Sequence, residues 1–111
     1  MNRGTMARMV ERGVEQRLAR GVPGEAVAAH LDDLASRLHF RAGKQHALRL
    51  DTLNGTGYHP TAAGLYGKMN AVIDTARGLV APNGKIRVDP AKFHTIPIDV
   101  AGTQMHQYIP R

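Results

Sequence analysis

The chain has 111 residues, 42% of them hydrophobic, and a formal charge of +6. That length fits one domain, and that apolar share is too high for a wholly disordered chain. The absence of cysteine excludes a disulfide framework, a thiolate metal site and a cysteine nucleophile.

No run approaches the roughly 18 apolar residues of a membrane span. The basic N-terminal segment, Met1 to Gly13, is followed by no apolar stretch of the kind a secretory signal carries. The expectation is therefore a protein of a reducing compartment, in the bacterial cytoplasm or a virion, neither secreted nor membrane-spanning. Its positive charge suits polyanions: nucleic acid, an acidic protein face or an anionic surface. The same charge also serves simple solubility.

In chain order, the first element is a helix over Thr5–Arg20, where Met6, Val10, Val14 and Leu18 recur every fourth residue. Gly21-Val22-Pro23-Gly24 breaks it. A second helix is expected over Gly24–Ala42. Glu25 favours its N-terminus, Val27, Leu31, Leu34 and Leu38 form its apolar stripe, and Gly43 is its C-cap. Lys44–Gly55 reads as a short helix through Ala47, Leu50 and Leu53, although Leu48 and Leu50 also alternate like a strand.

Pro60 opens a further helix to about Gly78, with Leu65, Met69, Val72 and Ala76 repeating at helical spacing. Beside them runs a stripe of small residues, Ala63, Gly67 and Ala71. Ala81–Lys85, "APNGK", reads as a turn joining Leu79-Val80 to Ile86–Val88 in a short hairpin. From Phe93 to Arg111 the period becomes two, with Ile96, Ile98 and Val100 alternating with polar residues and Pro97. Proline cannot donate to a ladder, so this segment is an edge strand or extended arm. The fold class expected is α+β and mostly helical: a body over residues 1–92 with three or four helices and a hairpin near 79–88, then a strand-like arm over 93–111.

Gly55–Lys68, "GTGYHPTAAGLYGK", resembles a phosphate loop only at first sight. A glycine is needed five residues before Gly67 and a hydroxyl after Lys68, where the chain has Ala62 and Met69. The dinucleotide fingerprint fails too, with Pro60 in place of its third glycine. The segment is better read as a glycine-notched helix face for close packing. No cofactor is expected. The histidines, His30, His39, His46, His59, His94 and His106, show no metal-ligand spacing, so no metal is expected. Ser36, the single serine, lies mid-helix outside any nucleophile elbow, and no catalytic residues are assigned.

The densest basic segment is Arg37–Arg49. Arg37, Arg41 and Lys44 share a helical face and, with Arg49, are the candidate nucleic-acid contacts. Within Ala19–Leu31, Gly21 precedes Val27 by six, with Leu31 beyond. This stretch resembles the turn and second helix of a helix-turn-helix DNA-binding unit. Arg17 and Gln16 depart from the small and apolar residues that the pattern carries before the turn.

Amphipathic helices, the small-residue stripe and the proline-bearing arm together suggest a non-catalytic assembly protein of a larger particle. A bacteriophage virion, at the capsid or head-to-tail region, is the setting expected. The partners would be other protein subunits, in a homo- or hetero-oligomer, with nucleic acid as a further partner. The interface would use Ala63, Gly67, Ala71, Ile96, Ile98, Val100, Tyr108 and Ile109, and loss of the arm would abolish assembly. The alternatives are a small DNA-binding regulator and, third, a basic histidine-dependent nuclease.

Overall fold

In the computed structural model of the chain, residues 3–55 and 60–111 are described, with side chains described for 4–44 and 67–111. Helix α1 spans Arg3–Ala19. Its end is fixed locally: Val22 N–H reaches back to the Arg17 carbonyl at 3.2 Å, and Gly21 N–H to that of Leu18 at 3.0 Å. This pair of bonds needs a left-handed residue just past the helix, and Gly21 supplies it at φ 90°.

Helix α2 spans Gly24–Gly55 and runs unbroken through Gly43. The expected stop at Ala42 is therefore corrected, and Lys44–Gly55 continues the same helix rather than forming a separate helix or a strand. A glycine inside a helix costs about 1 kcal/mol relative to alanine. That cost does not end a helix whose adjacent turn is anchored by buried Ala42 and by Leu38 packed on the core.

Helix α3, Pro60–Leu79, lies against both α2 and α1. Along α2, the buried Ala28, Ala35 and Ala42 recur every seventh residue, with Leu31 and Leu38 between them. That is the heptad spacing of a helix pair, and α3 answers with Met69, Ile73 and Ala76. The seam is thus rotated from the expected stripe toward alanines, which let two helices approach closely; Leu34 is left only half-buried.

After α3, Gly84 N–H bonds the Ala81 carbonyl at 2.9 Å and Ala81 N–H bonds that of Lys85 at 2.8 Å, closing the expected turn. It is a minimal hairpin, held by the single antiparallel bridge Val80–Ile86.

The C-terminal segment is strand-like, as its period indicates, but it folds back on itself. Strand β1 (Phe93–Val100) pairs antiparallel with β2 (Thr103–Pro110) around Ala101-Gly102. Both turn residues have positive φ, 53° and 83°, as a two-residue turn requires to match the strands' twist. Strand β2 packs on α1 and α2.

The hairpin root belongs to the core: Phe93 and Tyr108 cluster with Val14, Leu18, Val27 and Ile86. Overall the chain is elongated, with extents of 56 × 28 × 21 Å. The long axis is comparable with the length of α2, for 32 helical residues reach about 48 Å.

Because Gly43 is exposed and, among the described residues, nothing lies within 4 Å of a Cβ added there, Gly43→Ala is expected to raise unfolding free energy by about 0.5–1 kcal/mol. Urea denaturation followed by far-UV circular dichroism measures this. An unchanged or lower midpoint contradicts an unbroken α2.

Candidate functional site

The candidate site is built on the C-terminal hairpin, and its geometry follows from how the two faces of the ribbon differ. Side chains alternate along each strand. Phe93, Thr95, Pro97 and Asp99 share one face with their partners Pro110, Tyr108, His106 and Gln104. His94, Ile96, Ile98 and Val100 share the other with Ile109, Gln107, Met105 and Thr103.

The first face is clasped by the rest of the chain at Phe93, Tyr108 and His106, while Thr95, Pro97, Asp99, Gln104 and Pro110 stay exposed. Tyr108 is buried, and its hydroxyl accepts from Ile86 N–H at 3.2 Å while donating to the Ile86 carbonyl at 3.1 Å. Ile86 bridges Val80 on its other side, so these groups point away from that bridge and need an outside partner. Burial pushes the Tyr108 hydroxyl's pKa up, with the hydrogen bond to the Ile86 backbone pulling the other way. The ring lies against the start of α2, where a Cβ on Gly24 would sit 2.5 Å from the Tyr108 Cε2. Gly24 is therefore a clearance for an aromatic ring as well as a helix start.

One residue on, Glu25 hooks β2. Its Oε2 accepts from His106 N–H at 2.8 Å and its Oε1 lies 2.6 Å from His106 Nδ1. A carboxylate only accepts, so Nδ1 carries the shared hydrogen. Burial by itself would raise the Glu25 pKa. The bonds from the His106 ring and amide and from Glu25's own amide, with the imidazole's charge, outweigh burial and hold it below its ordinary value.

In an antiparallel hairpin with a two-residue turn, the pairs Val100/Thr103, Ile98/Met105 and so on exchange backbone bonds, leaving the alternate residues' amides pointing outward. His106 is one of these, so Glu25 closes the outer edge of β2. Pro97, opposite His106, carries no N–H at the middle of the outer edge of β1. Both edges are thus blunted against adding a further strand.

The second face is held less: among the described residues its Gln107 amide lies near the α1–α2 turn, with Nε2 3.3 Å from a Cβ built on Gly21, and no clasp like that of Tyr108 and Glu25 is present. Ile96 is 37% and Val100 39% exposed. Ile98 and Met105, paired across the strands, are half-buried, as is Ile109. The face holds five apolar side chains and no formally charged one.

Of the residues expected at a partner interface, Ile96, Ile98, Val100 and Ile109 come together here. Tyr108 does not: it lies on the clasped face, inside the chain's own core. Ala71 is likewise buried, and Gly67 is half-buried with nothing described within 4 Å of an added Cβ. The side chain of Ala63 lies outside the described residues.

On α2, Arg37, Arg41 and Lys44 are exposed on one face, as their spacing requires, while the side chain of Arg49 lies outside the described residues. Arg37 pairs with Asp33 at 3.1 Å. Sequence reasoning missed the aromatic member of this face: Phe40, 64% exposed, with the Lys44 ammonium 4.7 Å from its ring centroid. Its position, three residues after Arg37 and four before Lys44, was the available signal.

The helix-turn-helix resemblance meets a geometric obstacle. The N-terminus of α2, which would enter a DNA groove, is covered by β2 through Gly24 and Glu25. Among the histidines, His106 meets a carboxylate, His94 is exposed on the hairpin, and His59 lies outside the described residues. A notch of about 250 Å³ between α1, the end of α3 and the segment at 87–92 gathers Glu11, Glu15, Asp89, Arg87 and Lys92, without a histidine. Lys92 is bonded to Glu15 there at 3.2 Å. Among the described residues, no three His, Asp or Glu are placed to hold a metal, and no helix is long and apolar enough to cross a membrane.

Comparison with protein families, with curated proteins and with solved structures returned no match, so function is argued from this chain's own residues.

Tyr108→Phe leaves two buried backbone groups of Ile86 unpaired and is expected to cost about 1–3 kcal/mol of stability, read by urea denaturation. A change below about 0.5 kcal/mol, the scale of an ordinary surface substitution, contradicts the clasp. The Glu25 pKa is depressed by folding. Its contribution is therefore full above the unfolded carboxylate value, about 4.3, and is lost as pH falls through the lower folded value. Thermal midpoints of the native chain and of Glu25→Gln, measured from pH 7 to 3, should differ at neutral pH and converge on acidification. A gap constant across that range contradicts the latch.

Proposed function

We propose that this chain is a non-catalytic subunit of a larger particle, in the setting of a bacteriophage virion, and that it docks on a neighbouring subunit through the outer face of its C-terminal hairpin. The observation that carries this reading is the contrast between the ribbon's two faces. One is held to the helices by Tyr108 and Glu25, while the other presents Ile96, Ile98, Val100 and Met105 with no formal charge among them.

A ribbon rigidly rooted at one face loses little conformational freedom when its other face is covered, which favours association. Face packing is favoured here over addition of a strand to a neighbour's sheet. Pro97 and Glu25 occupy the middles of the two outer edges.

The rooting also changes which experiment is informative. Deleting residues 93–111 would strip Phe93 and Tyr108 from the core and so would test folding. Ile96→Lys with Val100→Lys alters only exposed positions, where substitutions usually shift stability by no more than about 0.5 kcal/mol. In sedimentation experiments at rising concentration, the native chain is expected to associate through this apolar face and the double variant to remain monomeric with an unchanged melting midpoint. A native chain that stays monomeric throughout, or a variant that associates equally well, removes the support for this reading.

A further inference from the structure

A second surface, independent of the hairpin, lies on the exposed side of α2. Arg37, Phe40, Arg41 and Lys44 fall at positions i, i+3, i+4 and i+7, within about 100° of the helix circumference and about 10 Å of its axis. All four are exposed. Asp33 neutralises part of Arg37 at 3.1 Å, which leaves Arg41 and Lys44 as the cations of this face with no opposing carboxylate among the described residues. Phe40 is the most exposed large apolar side chain among the described residues, at 64%. The Lys44 ammonium stands 4.7 Å from its ring centroid, so the ring sits inside the positive field and not beside it.

We infer that this stripe binds single-stranded nucleic acid, with Phe40 stacking on a base and Arg41, Lys44 and, in part, Arg37 contacting the flanking phosphates. A phosphate recurs every 3.4 Å of a stacked strand, so the length of the stripe matches about three phosphates. An acidic protein face would satisfy the cations but gives no reason for a flat, exposed aromatic among them. A duplex offers phosphates but keeps its bases stacked on one another. A single strand supplies both phosphates and an open π-face at nucleotide spacing.

Fluorescence anisotropy with the full chain and a labelled 20-nucleotide thymidine strand tests this, with a mixed-sequence duplex of equal length as comparison. The single strand is expected to bind more tightly than the duplex, and its affinity should fall with salt along a logarithmic slope of roughly −2, from about three phosphates. Phe40→Leu should weaken single-strand binding about 5- to 100-fold with the salt slope unchanged. Lys44→Gln should reduce the slope by about 0.7. Both variants change exposed side chains, and an unaltered melting midpoint verifies folding.

The inference is overturned by any of four results. These are no single-strand binding at 50 mM salt, tighter binding to the duplex, no effect of Phe40→Leu, or equal competition by polyglutamate, which would make the site a general anion face.

Discussion

The structure depends on one side-chain-to-backbone clasp: the Tyr108 hydroxyl closing on both polar groups of Ile86. Ile86 sits in a minimal turn held by a single bridge, which has no stability of its own. Tyr108 gives that turn a partner and in the same stroke inserts a ring between it and the N-terminus of α2. Gly24 makes room for the ring, and Glu25 secures the neighbouring residue, His106. Three segments far apart in sequence are thereby fixed together. A two-stranded ribbon, marginal by itself in water, becomes a rigid extension of a helical body.

That rooting is what gives the two ribbon faces different meanings. With Phe93 and Tyr108 committed to the core, the alternation of the strands places Ile96, Ile98, Val100 and Met105 on the side turned away from it. The edges are closed by different devices, a proline on β1 and a helix-borne carboxylate on β2, and the apolar face lies between them. The basic face of α2 is a separate feature: it carries the positive charge while the hairpin face carries none. The two surfaces are thus chemically distinct, one neutral and apolar and the other cationic.

The sequence made the helices legible because their signal is periodic. Val10, Val14 and Leu18, and then Val27 and Leu31, announce α1 and α2 at the correct places. The seam between α2 and α3 was harder to see, because Ala28, Ala35 and Ala42 are too small to stand out from an apolar stripe drawn through leucines, yet their size is what suits a close helix pair. Gly43 looks like a stop by propensity alone, and only the packing around it carries the helix through. The hairpin was half-legible: the period of two was plain, but Ala101-Gly102 lacks the Asn-Gly signature of a tight turn, so one arm was expected in place of two paired strands. The clasp itself left no trace. Tyr108 and Ile86 are 22 residues apart and Glu25 and His106 are 81 apart, distances at which no local pattern operates. For the same reason the local pattern does not separate Tyr108, which belongs to the interior, from the apolar residues of the exposed face.

The central claim is that the hairpin root and the helices form one cooperative unit. Native-state hydrogen exchange at two backbone amides tests it most directly: Ile86 N–H, held by the Tyr108 hydroxyl, and His106 N–H, held by the Glu25 carboxylate. The account predicts that both exchange only through openings as costly as those that release the buried turns of α1 and α2, while amides near the Ala101-Gly102 tip exchange faster. Exchange of Ile86 and His106 at the rate of the tip, with the helices still protected, would show a detachable arm and contradict the account.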